Sequence, residues 1–284
     1  MRVEVGTQRA LLLDQFCTIA LDCRAPRPRL RRGALAMISR RVLLRWAATA
    51  AAAVTSSRAA GGDVDPYVDA RRRMVEEISQ RMRASGASTG HSALSAPVLK
   101  ALGKVERHRF VPPELATQAY GDHPLPIGHG QTISQPYIVA LMTELLAPKA
   151  GDVMLEVGTG SGYQAAVLAE CVARVHTVEI VAPLGERARA LLAQLGYRNV
   201  EVRIGDGYRG WPEAAPFDGI VVTAAPDHVP QPLVDQLRPG GRMVVPVGPQ
   251  ISGQDLLLIT KAADGKTVTR RTLPVRFVPL TRER

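Results

Sequence analysis

Between residues 153 and 247, short apolar runs alternate with segments of helical period, and this alternation restricts the fold of the 284-residue chain more than any other feature. The runs at 153–157, 175–179, 200–204, 217–223 and 242–247 read as strands, with helices near 163–171, 183–195 and 230–237. Strands joined through helices are crossover units, which give a parallel sheet covered on both faces. Residues 254–261 and 267–278 read as two more strands joined by a turn at Asp264-Gly265, an antiparallel pair at one end. The expected fold is therefore α/β: a mostly parallel sheet, helices on both faces and a C-terminal antiparallel strand pair. There is no internal repeat.

Upstream of the alternation the signals are helical and then irregular. Asp65 before Pro66 suits an N-cap, and Val68, Val75, Ile78 and Met82 recur at helical spacing, so a helix is expected over 66–83. Ser85 to Gly90 reads as a loop, and Ser95-Ala-Pro97 starts a second helix carrying Val98, Leu99, Leu102 and Val105. Residues 107–135, rich in Pro, Gly and His, hold neither period, and a structureless stretch of that length inside a domain is usually a lid or binding loop. It runs into an amphipathic helix after Pro136 with Ile138, Leu141, Met142, Leu145 and Leu146.

The formal charge of +10 is concentrated in residues 1–62, where eleven arginines face three acids. The body, 63–284, is nearly balanced and lacks the electrostatic footprint of a nucleic-acid binder. The leader contains Ser39-Arg-Arg-Val-Leu-Leu-Arg45, similar to a twin-arginine export signal with a start at Met37, and an Ala-rich run too short to span a membrane. A mis-set start codon or a basic leader on a cytoplasmic protein fits equally. Of three cysteines only Cys171 lies in the body, as a small buried hydrophobe, and the six histidines show no metal-site spacing.

The chemistry-bearing segment is Leu155-Glu-Val-Gly-Thr-Gly-Ser-Gly-Tyr163, at the end of the first strand of the alternation and opening a helix. Glycines there let the backbone turn tightly and approach a ligand. The spacing Gly158-x-Gly160-x-Gly162 departs from the dinucleotide G-x-G-x-x-G, and no P-loop lysine follows, which disfavours a nicotinamide enzyme and a P-loop NTPase. Glu179 ends the next strand, at the offset where an acid accepts ribose hydroxyls, and Gly205-Asp206-Gly207 follows the third, where a carboxylate could accept an adenine amino group. Each acid alone reads as a solvated loop residue; together, at successive carboxyl ends of one sheet, they point to a nucleoside.

Motifs along nearly the whole body resemble the protein-L-isoaspartate O-methyltransferase family. They are Arg107-His-Arg-Phe-Val-Pro112, Ala119-Tyr-Gly-Asp122, Pro124-Leu-Pro-Ile-Gly128, Gly130-Gln-Thr-Ile-Ser-Gln-Pro-Tyr137, the glycine segment, Gly205-Asp-Gly207, Val222-Thr-Ala-Ala225 and Val275-Arg-Phe-Val-Pro-Leu-Thr281. The resemblance implies a class I (Rossmann-like) methyltransferase with a seven-stranded sheet, S-adenosylmethionine as methyl donor, no metal, and isoaspartyl proteins and peptides as partners. It implies Ser134 as the active-site residue. Gln131, Thr132, Ile133, Glu156, Gly158, Thr159, Gly160, Gly162, Glu179, Ile180, Asp206, Gly207 and Thr281 are the implied cofactor region. It also implies a cytoplasmic monomer without nucleic-acid or membrane partners, with periplasmic export as the alternative that the leader raises.

Three other readings compete. Ser134 beside Pro136 suits a helix N-cap as well as a catalytic position. A methyltransferase of another substrate would keep the cofactor residues and differ in the 107–136 segment, and a non-catalytic nucleoside binder would keep the sheet alone. Preferred protein targets and oligomeric state are not written in the sequence.

Overall fold

The structure is a computed structural model that describes residues 65–250 and 253–282. The leader, with its export-like motif, lies outside the described residues. Helices α1 (Val68–Thr89) and α2 (Ala96–Lys104) come first, then two 3-10 turns (Arg107–Phe110 and Pro113–Gln118) and a small antiparallel hairpin of β1 (Leu125–Gly128) and β2 (Gln131–Ile133). Helix α3 (Pro136–Leu146) leads into the alternating part. There follow β3 (Val153–Val157), α4 (Tyr163–Ala169), β4 (Arg174–Glu179), α5 (Ala182–Gln194), β5 (Val200–Ile204), β6 (Phe217–Val222), α6 (Gln231–Gln236) and β7 (Leu237–Val247). Strands β8 (Gln254–Lys261) and β9 (Thr267–Val275) close the described fold.

The seven strands lie in the order β5-β4-β3-β6-β7-β8-β9; the first five are parallel, and β8 and β9 add antiparallel. The α/β expectation and the antiparallel terminal pair hold. The central strands β3, β4 and β6 bury both faces, whereas the edge strand β5 buries only Val202 fully. On β3, Met154 joins the core under α1 to α4, whereas Leu155 and Val157 join a second core with Trp211, Phe217, Ile220, Leu233 and Met243. From β3 the chain steps outward to β4 and β5, then returns to β6 on the other side of β3. That reversal opens a crevice at the carboxyl ends of β3, β4 and β6, where ligands of open α/β sheets sit.

The structure corrects the reading of the upstream third in four places. Helix α1 starts at Val68, with Asp65 Oδ1 accepting the Tyr67 N–H at 2.9 Å rather than capping a helix from residue 66. It also continues through the expected loop 85–90 to Thr89, ending on Gly90 at φ 75°. Ser85 and Thr89 return their hydroxyls to carbonyls four residues back, and the Tyr137 hydroxyl donates to Ser85 Oγ at 2.7 Å, so tertiary packing outweighs the loop-like composition. The 107–135 segment is ordered by two 3-10 turns and the hairpin. Finally, α3 is buried on every side, all eleven residues of it, because α1 and α2 cover the face turned from the sheet. Its polar groups are satisfied there: Thr143 Oγ1 donates to Val139 O and accepts from Gln164, and Glu144 accepts from the Ser95 N–H and hydroxyl. No described helix is long and apolar enough to cross a membrane.

Candidate active site

The turn after β3 is shaped by what glycine leaves out. Gly158 has φ 99°, and a Cβ there would lie 2.4 Å from Thr223 Oγ1, so no other residue fits without displacing Thr223. That hydroxyl donates to Gly158 O at 2.6 Å and to Val157 O at 3.1 Å, stitching the end of β6 to the turn. Glu179, only 6% exposed, clamps the other side. Its Oε2 accepts the Gly160 N–H at 2.7 Å and its Oε1 accepts the Val181 N–H at 2.9 Å. The carboxylate thus fixes the glycine turn while retaining lone pairs for further donors.

These groups edge a cleft of about 530 Å³, counting its open mouth. The cleft brings together Gln131, Thr132, Gly158, Gly160, Glu179, Ile180, Gly207 and Thr281 among the residues singled out from the sequence. The remaining ones lie elsewhere. Ile133, Glu156 and Thr159 line a smaller pocket beneath the glycine turn, about 310 Å³, with Ser134. Gly162 opens α4, where a Cβ would meet Leu192 at 3.2 Å, so it serves packing. Asp206 turns its Oδ1 back to the Tyr208 N–H at 2.9 Å and is not part of the cleft wall. The sequence reading missed Val178, Ala224 and Leu280 in that wall; the last is held by Leu280 N–H donating to Ala225 O at 2.8 Å.

Ser134 faces a larger open groove of about 1830 Å³, together with Arg81, Ser85, Gln135, Tyr137 and Arg276. The N-cap of α3 is Gln135, without a side-chain cap, and the first-turn Tyr137 N–H is satisfied by Asp122 Oδ1 at 2.8 Å. The helix-cap reading of Ser134 therefore fails: Asp122 does that work from the preceding segment, with Arg81 and Gln135 bonded to its other oxygen. Thr132 and Thr223 line the cleft, the groove and the inner pocket alike, so the three spaces meet at these two residues.

Charge divides the spaces. Among the described residues, the cleft and the inner pocket are lined by the acids Glu179 and Glu156 and by no Lys, Arg or His, whereas the groove carries Arg81 and Arg276 and no acid. A cationic small molecule suits the first two and a carboxylate the third. Beneath them the buried groups are perturbed: desolvation pushes the Glu156 carboxyl up to about 8 and the Tyr163 phenol up to about 12. Burial pushes the Cys171 thiol up to about 11, as expected of an inert core cysteine.

Comparison with known proteins settles the lineage. The sequence model of the family described as protein-L-isoaspartate(D-aspartate) O-methyltransferase (PCMT) matches residues 80–284. This chain belongs to that family. It is 59% identical over 214 residues to protein-L-isoaspartate O-methyltransferase 1 of Nitrosospira multiformis, covering 75% of this chain and 88% of the relative. With protein-L-isoaspartate O-methyltransferase 2 of Syntrophobacter fumaroxidans it shares 56% over 229 residues, 79% and 93% of the two chains. A solved protein-L-isoaspartate O-methyltransferase superposes with a TM-score of 0.62 at 32% identity, covering 72% of this chain and 65% of that one. A Plasmodium falciparum protein, solved with S-adenosyl-L-homocysteine, matches the fold at TM-score 0.62 and 24% identity, covering 75% of this chain and 99% of that one. The chain is thus a class I S-adenosylmethionine-dependent methyltransferase of the PCMT family, with an open crevice at the carboxyl ends of β3, β4 and β6.

Proposed function

We propose that this chain transfers a methyl group from S-adenosylmethionine to the side carboxylate of L-isoaspartyl residues in damaged proteins. One observation carries the reading beyond family membership: Thr132 and Thr223 form a common wall between the acid-lined cleft and the arginine-bearing groove. A cationic donor in the first and a carboxylate in the second would meet at that wall.

The fit of the donor rests on the chain's own residues. Glu179 offers lone pairs at the cleft, Ile180 and Leu280 offer apolar contact, and Glu156 Oε1, in the adjoining inner pocket, is a buried acceptor with no hydrogen-bond partner among the described residues. Bound S-adenosylmethionine supplies an electrophilic methyl on a sulfonium. The protein needs no general base, because a carboxylate is already ionised at neutral pH. Its task is to hold that carboxylate in line and keep water out, and such positioning is worth several kcal/mol. Ser134 faces the groove with a hydroxyl that makes no hydrogen bond within the described residues, so it is free to donate to the substrate's carboxylate and orient it. Esterification prepares the site for succinimide formation and partial return to normal aspartate, steps that need no catalyst. The same reading makes the enzyme a cytoplasmic monomer built on residues 63–284.

Radiolabelled methyl transfer to matched isoaspartyl and aspartyl peptides tests the proposal. Labelling of the isoaspartyl peptide alone is expected. Equal labelling of both, or of neither while another acceptor is methylated, would favour a methyltransferase with a different substrate.

A further inference from the structure

Two guanidinium groups line the large groove, and they differ in what they already hold. Arg81, from α1, is bonded to the buried carboxylate of Asp122 and lies over the Tyr137 ring at 5.6 Å from its centroid. Its charge is neutralised within the protein. Arg276 is exposed, with no hydrogen-bond or ion-pair partner among the described residues. Asp255, which stands opposite Pro274 on β8, is paired with Arg271 instead. No acidic side chain among the described residues lines the groove, so Arg276 leaves one uncompensated positive charge on its wall.

The backbone fixes where that charge stands. From Leu273 to Val278 the chain leaves β9 along the groove, with Phe277 buried and Pro274 and Arg276 exposed. Phe277 is pinned by one side chain: its N–H donates to Gln254 Oε1 at 2.6 Å, and its carbonyl accepts from Gln254 Nε2 at 3.1 Å. Two residues beyond Arg276, Val278 lines both the groove and the cofactor cleft. Arg276 lines the groove alone, set back from the wall of Thr132 and Thr223 where the spaces meet. An extended chain advances about 3.3–3.6 Å per residue, so two residues span roughly 7 Å. A peptide laid along the groove with its isoaspartyl carboxylate at that wall carries a side chain one or two positions away past Arg276.

We propose that Arg276 is a specificity-determining residue that favours isoaspartyl sites with an Asp or Glu within two residues of the damaged position. The proposal rests on reading the groove as the substrate site. A guanidinium stays charged at neutral pH and presents a fork of N–H donors that matches a carboxylate. The acceptor carboxylate is a different group. It belongs at the wall beside Ser134, and a cation clasping its oxygens would withdraw the electron density that attacks the methyl. Since Arg276 is open to solvent, its pair with a neighbouring acid has the strength of an exposed ion pair, a preference of roughly two- to fivefold.

Steady-state methylation of matched isoaspartyl peptides with Glu, Gln or Lys one or two positions from the isoaspartate reads this preference. With the full chain, the Glu peptide should exceed its Gln twin in kcat/KM by roughly two- to fivefold, through KM with kcat nearly equal, and the Lys peptide should fall below both. The ratio should approach one as salt rises from about 0.01 M to about 1 M, where the screening length shrinks from about 30 Å to about 3 Å. Arg276→Gln should bring the Glu-to-Gln ratio to one, and Arg276→Glu should invert the order in favour of Lys. Each ratio is internal to one protein, so a general loss of activity does not imitate the effect. Arg81→Gln should keep the preference. Should an Arg276 variant not fold, the order of the three peptides and its salt dependence in the unaltered protein decide, together with Arg81→Gln. Equal use of the three peptides by the unaltered protein, a preference for Glu that survives in Arg276→Glu, or its loss in Arg81→Gln overturns the assignment. Failure to methylate any of the isoaspartyl peptides would instead overturn the function reading beneath it.

Discussion

The fully buried guanidinium of Arg107 donates from Nη2 to the carbonyl oxygen of Ser134, itself half-buried, at 2.7 Å. Its Nε donates to Ala119 O at 2.8 Å, and the group lies over the Tyr163 ring. One buried cation thus ties both ends of the segment that carries the hairpin to the residue facing the groove. Burial pulls its pKa down to about 10, which still leaves it charged at neutral pH. Arg107→Met would leave two carbonyls without donors, so unfolding free energy should fall by about 2–5 kcal/mol, with turnover falling further as Ser134 loses its anchor. Urea denaturation and steady-state methyl transfer on the same protein check both.

Ser134→Ala should lower turnover by roughly ten- to 150-fold, the equivalent of about 1.5–3 kcal/mol for one hydrogen bond to a charged group. Since Asp122, not Ser134, satisfies the first turn of α3, thermal stability and cofactor affinity should stay near those of the unaltered protein. A destabilised variant with normal turnover at saturating substrate would remove Ser134 from the mechanism.

Glu179→Ala should weaken S-adenosylhomocysteine binding by about 1.5–3 kcal/mol. Two effects add here: loss of an acceptor at the cleft, and release of the Gly160 and Val181 N–H groups that the carboxylate now holds. An unchanged dissociation constant by calorimetry would reduce Glu179 to a structural clamp.

Much of this was legible in the sequence, and the parts that were not share a cause. The strands β3, β5 and β8 fall where their apolar runs place them, because local turn residues bound each run. The glycine turn and Glu179 were visible because their spacing follows from strand geometry. Arg107 and Asp122 belonged to recognisable motifs, yet nothing local says that an arginine will be buried to hold a carbonyl 27 residues away, or that an aspartate will cap a helix 15 residues on. The last turn of α1 was misread for the same reason: Ser, Gly and Thr look like a loop until Tyr137 and α3 pack against them. Asp206 stands at the strand end where the sequence places it, and the structure adds what spacing does not say, that one of its carboxylate oxygens accepts from the Tyr208 N–H.

Gly158→Ala should abolish cofactor binding more completely than loss of any one polar contact, because the added methyl strikes Thr223 Oγ1 in a backbone conformation that L residues avoid. Adding Thr223→Ala removes the steric part and leaves the backbone strain of roughly 1–3 kcal/mol, so the double variant should bind better than Gly158→Ala alone. Equal affinities would show that the clash is not what excludes a side chain.

A chain starting at Asp63 should fold and methylate as the full chain does, since the described residues build two hydrophobic cores among themselves. Circular dichroism and the peptide assay test this; a truncated protein that fails to fold would move the domain boundary upstream.

The cleft wall is assembled from pieces that range along the sequence from Gln131 to Thr281, with the glycine turn, the end of β4, Gly207 and Thr223 between them. No subset of neighbouring elements holds it, so a partly unfolded chain has nothing for the cofactor to grip. Thermodynamic linkage then makes the cofactor a ligand of the native state alone: a concentration one hundred times its Kd adds about 2.7 kcal/mol to the stability of the whole domain. An enzyme whose task is to mend ageing proteins would by this route have its own resistance to unfolding set by the supply of its methyl donor.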